Sequence, residues 1–145
     1  MLNCIKLNYE LGFAPFNEII NSFLSFIEKF PNSTKIDQAY DYLGKAFLTS
    51  KNYKEALESM ERIKKKDANV YRAMQRIAYY RGLELYTSLQ FSEAVTFFTQ
   101  SLKYGEYDKE LKIKAIFWRG ETYYRLGEYD KASDDYNSFI LSPGS

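Results

Sequence analysis

The feature that most restricts this chain is that it repeats itself. Three segments align without a gap: DQAYDYLGKAFLTSKNYKEALESM from Asp37, QRIAYYRGLELYTSLQFSEAVTFF from Gln75, and IKAIFWRGETYYRLGEYDKASDDY from Ile113, each 38 residues after the last. Glycine holds the eighth position (Gly44, Gly82, Gly120) and alanine the twentieth (Ala56, Ala94, Ala132). Large apolar or aromatic residues hold the eleventh (Phe47, Leu85, Tyr123), the seventeenth (Tyr53, Phe91, Tyr129) and the twenty-fourth (Met60, Phe98, Tyr136). A repeat of this length is one supersecondary unit that cannot bury its apolar face alone, so copies must stack on one another.

The apolar spacing on either side of each break is that of a helix, not a strand. The breaks, TSKNY, TSLQF and RLGEY, are short and polar. Each copy therefore reads as helix, tight turn, helix. The glycine and the alanine are expected on facing sides, where small residues let backbones approach and the larger positions fill the surrounding space. A mid-helix glycine costs about 1 kcal/mol against alanine, so close packing must offset it. The resulting helix map is about 3–11, 16–30, 34–50, 53–66, 68–88, 91–104, 108–126 and 128–141, with boundaries uncertain by about 2–4 residues. Asn32 or Ser33 is expected to cap the third helix, and Ser92 or Gln90 to open the sixth.

Composition narrows the function classes. Lys and Arg number 20 against 19 acidic residues, a balance that disfavours nucleic acid and anionic membrane as partners. Histidine is absent and Cys4 is alone, so no intrachain disulfide, Cys/His metal site or histidine-based triad can be built. No apolar run approaches the roughly 18 residues of a membrane span, and MLNCIKLNYELG lacks the character of a signal peptide. Asp134 and Asp135 are adjacent and point about 100° apart on a helix, so they share no site. Glu106 and Asp108 fall at an inter-helix connection. Lys64–Lys66 end a helix, where cations suit the dipole. No catalytic residue, cofactor or metal site is expected.

The repeated skeleton resembles the tetratricopeptide repeat (TPR), whose pattern has a bulky residue at four, Leu at seven, Gly at eight, Tyr at eleven, Ala at twenty, Phe at twenty-four, Ala at twenty-seven and Pro at thirty-two. Arg81 and Arg119 depart from it at seven, and Ile63, Ser101 and Phe139 at twenty-seven. The closing proline is missing from the first two copies, and Pro143 comes one residue early in the third. The period exceeds the usual 34 or so by about one helical turn, placed at KKKDANVY and KYGEYDKELK. FNEIINSFLSFIEKFPNS looks like a damaged earlier copy. The strings FIEKFPNS, YYRGLELY and FWRGETYYRLGEYDKA also resemble TPR proteins of the Gram-negative cell envelope, of the outer-membrane assembly lipoprotein and Tol-Pal-associated types.

The resemblance implies an all-α, right-handed α-solenoid of antiparallel helix pairs. Residues 1–145 form one domain, with a degenerate leading pair at 1–36 and repeats at 37–74, 75–112 and 113–145. It implies a non-catalytic scaffold that holds a protein or peptide segment in a concave groove lined by first helices. The groove positions are Tyr42, Lys45 and Thr49; Arg76, Tyr80, Leu83 and Tyr86; and Lys114, Trp118, Glu121, Tyr124 and Arg125. Position six is aromatic in every copy (Tyr42, Tyr80, Trp118), while Tyr79 and Phe117 at position five stand between groove and core. The carboxylate clamp of some TPR domains is not expected, because its five positions hold Asp41, Lys45, Tyr80, Lys114 and Trp118, of which only Lys114 fits.

Single-stranded RNA or a glycan is the alternative ligand for the aromatic face, since stacked rings also suit bases and sugars. Phe139, Ile140 and Leu141 leave the last helix uncovered. This is expected of a fragment of a longer array, and the alternative is a homo-oligomer contact. Either the periplasm or the cytoplasm fits the sequence.

Overall fold

The computed structural model describes residues 16–36, 38–40, 42, 50–61 and 66–144. Among them are six α-helices and no strand: α1 Phe16–Lys29, α2 Ser50–Glu61, α3 Ala68–Thr87, α4 Phe91–Lys103, α5 Lys109–Arg125 and α6 Tyr129–Leu141. A short 3-10 turn, Gly105–Tyr107, joins α4 to α5. Residues 36, 38–40 and 42 are helical too, within the third expected helix. The expected helix at 3–11, Cys4, Gly44, Lys45 and Thr49 lie outside the described residues.

The architecture is all-α and built from hairpins, α3 with α4 and α5 with α6. Tyr86 meets Phe91 and Gly82 meets Phe98 across the first hairpin; Tyr124 meets Tyr129 and Gly120 meets Tyr136 across the second. Partners separate as they leave the turn, as antiparallel helices require. The two turns share one geometry. Leu89 N–H donates to the Tyr86 carbonyl and Gln90 N–H to that of Leu85, at 3.0 and 2.8 Å. Gly127 N–H likewise donates to Tyr124 and Glu128 N–H to Tyr123, at 3.0 and 2.9 Å. This is the Schellman pattern, which uses up orphan carbonyls and needs a left-handed residue. Leu89 takes φ 62° and Gly127 takes φ 77°. Among the described residues of the turn expected at 49–53, Ser50, Lys51 and Asn52 are already helical in α2. Ser and Asn suit the first turn of a helix, and nothing at Lys51 favours the left-handed region.

The repeated glycines are contact points. A Cβ on Gly82 would lie 2.7 Å from Phe98 Cε1, and one on Gly120 would lie 3.1 Å from Asp135 Cβ and 3.2 Å from the Tyr136 ring. The closest neighbour of Gly82 is thus the ring at the twenty-fourth position, and at Gly120 that ring comes 0.1 Å behind Asp135 Cβ. The alanines Ala56, Ala94 and Ala132 are nonetheless fully or almost fully buried.

Two apolar clusters follow one another along the array. The first joins Phe23, Phe26 and Ile27 of α1 with Tyr40, Met60 of α2, and Met74 and Ile77 of α3. The second joins Tyr79 and Leu85 of α3 with Phe98 of α4 and Leu111 and Ala115 of α5. Phe97 packs on both. The arginines that break the repeat pattern at position seven have structural work. Arg119 makes a two-pronged ion pair with buried Asp135 of α6, both arms 2.8 Å, and reaches Thr99 of α4 at 3.3 Å. Arg81 is buried over the Phe97 ring. Ser101, small and buried where the family has alanine, donates to the Gln75 carbonyl at 2.8 Å. As expected, the adjacent carboxylates diverge: Asp135 is buried and Asp134 exposed.

Candidate functional site

The groove is built where two successive first helices, α3 and α5, run side by side. One face of α3 holds the N-terminus of α5. Arg72 Nε donates to the Tyr107 carbonyl at 2.7 Å, and Gln75 Nε2 to the Asp108 carbonyl at 2.8 Å. Arg76 Nη2 pairs with Asp108 Oδ2 at 2.9 Å. Residues 72, 75 and 76 lie at i, i+3 and i+4, so one helix face suffices. Asp108 also caps α5, its Oδ1 accepting from Leu111 N–H at 3.1 Å; Asp67 caps α3 in the same way through Val70 N–H. The caps expected from the sequence belong to other helices: Ser33 accepts from Lys35 N–H at 3.1 Å ahead of the third expected helix, and Gln90 precedes α4 without a side-chain cap bond. Lys66 donates to the Glu61 carbonyl at the end of α2, the role expected of a cation there.

Above this junction lies an open groove of about 670 Å³. Its walls carry Arg76, Tyr80, Leu83 and Lys114, four of the expected groove residues, in one place. They also carry Tyr79, expected between groove and core, and Tyr40, Arg72 and Leu111, which no expected groove position covers. Arg72 falls three residues ahead of the repeat frame that begins at Gln75, so a family-based position list passes over it; the 38-residue period was the available signal. Tyr40 stands at position four of its copy. Its phenol donates to Asn69 Oδ1 at 3.1 Å and its ring meets Phe23 edge-on. Burial pushes this phenol up to about 12, against the pull of Arg72. Tyr79 is raised as well, by burial, opposed by a hydrogen bond from Trp118 and by Arg76. Both phenols stay protonated donors near neutral pH.

The other expected groove residues are placed differently. Tyr86 and Trp118 meet edge to face, centroids 5.3 Å apart, and pack half-buried on the second cluster. Tyr42 packs on the first. Glu121 accepts a 2.6 Å hydrogen bond from Tyr136 of α6, which ties α5 to its own hairpin partner. Tyr124 is 56% exposed beside Tyr129, and Arg125 is exposed at the end of α5. At position five, Tyr79 is core and Phe117 packs on Phe139 of α6.

Among the described residues no group of three or more His, Cys, Asp or Glu could hold a metal ion, and no helix is long and apolar enough to cross a membrane. No curated protein matches the chain. Residues 114–145, which comprise most of α5 and all of α6, match the family model described as the tetratricopeptide repeat. The match, the all-α hairpins and the repeated glycine contacts together support the tetratricopeptide repeat family, whose members generally bind proteins.

Proposed function

We propose that the chain is a non-catalytic scaffold and that the groove between α3 and α5 holds a segment of a partner protein. The observation that carries this reading is convergence. Arg76, Tyr80, Leu83 and Lys114, chosen from repeat positions, line a single open groove large enough for several side chains. Apolar contact with Tyr80 and Leu83 would supply binding energy, and the cations would orient polar groups of the segment. The packing of Tyr86 against Trp118 turns these rings toward each other. That geometry weighs against base or sugar stacking as the main mode.

A random dodecapeptide display library is a suitable probe. The parent chain should enrich peptides, Tyr80→Ala with Leu83→Ala should lose the enrichment, and Tyr124→Ala should keep it. Equal enrichment by all three would refute the groove. A second reading, a contact between chains at α6, is supported by Ile140 at 67% and Leu141 at 83% exposure. Sedimentation would decide it, since a monomer at high concentration excludes self-association there. The finer likeness to cell-envelope TPR proteins would place the groove's partner in the periplasm, and fractionation of the source cell tests that.

A further inference from the structure

We propose that the mouth of this groove selects peptides bearing acidic side chains, with Arg72 as the anchoring cation. The inference rests on the groove reading above and goes beyond it by naming the ligand chemistry.

The 38-residue period adds a turn of helix ahead of the family frame, and α3 accordingly begins at Ala68. Arg72 stands near the start of α3, just after the inserted stretch and three residues ahead of the repeat frame, exposed on the groove lining. A neutral oxygen holds its guanidinium, the Tyr107 carbonyl 2.7 Å from Nε, and the Tyr40 phenol feels its charge. No carboxylate among the described residues pairs with it. The contrast with Arg76, already engaged by Asp108 at 2.9 Å, is direct. Arg72 is thus oriented but electrostatically unanswered, the state in which a guanidinium best accepts a planar carboxylate with two parallel bonds.

Two more cations stand near it. Lys109 and Lys114 are both exposed on the groove wall and neither makes an ion pair among the described residues. Among the described residues, Glu110 is the one acid of the wall outside the Arg76 pair. A chain whose formal net charge is only +1 therefore gathers at one opening three cations that touch no carboxylate among the described residues, although Glu106 attracts Lys109 from a distance. Tyr79, Tyr80 and Leu83 on the same lining are more buried than these cations, so an acidic residue held by the cations would be followed by apolar residues against them. A polyanion fits less well. Asp108 and Glu110 stand within the mouth and would repel successive phosphates, and the nearby Tyr86 and Trp118 rings meet edge to face at 65°.

The test uses the full chain. Peptides enriched from the random dodecapeptide library are sequenced, and one is labelled for fluorescence anisotropy beside its Glu→Gln, Asp→Asn counterpart and a labelled oligouridylate. Enriched peptides should be acidic, and neutralising them should weaken binding about tenfold or more, as expected for loss of charge-assisted hydrogen bonds. Arg72→Gln should bring the two peptides to similar affinity, Arg72→Lys should restore part of the difference, and Lys114→Gln should reduce it less. Both sites are exposed, so far-ultraviolet dichroism should be unchanged. Neutral or basic enriched peptides, or discrimination that survives Arg72→Gln, would overturn the acidic anchor while leaving the groove in place. Tighter binding of oligouridylate would replace it with RNA recognition. Absence of any enrichment would overturn both the anchor and the groove.

Discussion

Substituting Gly82 by alanine probes the contact on which the repeat rests. In an exposed helix the change would stabilise by about 1 kcal/mol. Here the new Cβ would stand 2.7 Å from Phe98 Cε1 and 2.8 Å from Cδ1, well inside ordinary contact distance. Phe98 is fully buried and packs beside Tyr79, so its ring has no open space to enter. Overpacking of this kind costs about 1–3 kcal/mol. A 2.7 Å approach to an enclosed ring belongs in the upper part of that range, about 2–3 kcal/mol, so subtracting the propensity gain of about 1 kcal/mol leaves a net loss of about 1–2 kcal/mol and a fall in Tm of about 3–6 °C. Gly120→Ala meets Asp135 and Tyr136 at 3.1–3.2 Å, a milder conflict, and its net effect should be within about 1 kcal/mol of zero. Thermal and urea unfolding followed by circular dichroism measure both. A second background sharpens the assay. With Phe98→Leu already present, Gly82→Ala should no longer destabilise, because the ring it strikes is gone. Equal or greater stability of Gly82→Ala in the parent chain would refute the reasoning, since it would mean that the eighth and twenty-fourth positions do not press together.

Three further outcomes follow from the same structure. Asp135→Ala leaves Arg119 without its bidentate partner in a largely enclosed place, and urea unfolding should show a loss of about 2–4 kcal/mol. Leu89→Gly relieves a left-handed backbone at a side chain that is 73% exposed; it should stabilise by about 1 kcal/mol in the same assay. Tyr40, raised to about 12 by burial, gives an alkaline signature: between about pH 10 and 12 the unfolded chain releases this proton while the native one keeps it. Stability should therefore fall by about 1.4 kcal/mol per pH unit from this residue across that window, and Tyr40→Phe should flatten the fall in denaturant midpoints measured there.

The glycine, alanine and large-residue columns made the hairpins legible from the residues alone, because helix pairing imposes small and large side chains at fixed offsets. Turn geometry was half legible: Gly127 announces a left-handed residue, whereas Leu89 adopts one with no local signal and Lys51 does not adopt one. In the groove, Arg76, Tyr80, Leu83 and Lys114 could be named from repeat position. Arg72 could not, because it precedes the frame in which those positions are counted. Nor could the fates of Glu121 and Trp118 be read, since their partners Tyr136, Tyr86 and Tyr79 depend on how the helices are rotated. The same holds for Asp108, whose engagement by Arg76 and by the α5 cap decides which cations are left unanswered.

The claim that α3 and α5 together hold a peptide is tested most directly by amide chemical-shift mapping. An enriched dodecapeptide is titrated into the isotopically labelled chain. The account predicts saturable shifts centred on Arg72, Arg76, Tyr80, Leu83 and Lys114, with Ile140 and Leu141 unmoved. Shifts centred on α6, or scattered without saturation, would contradict it.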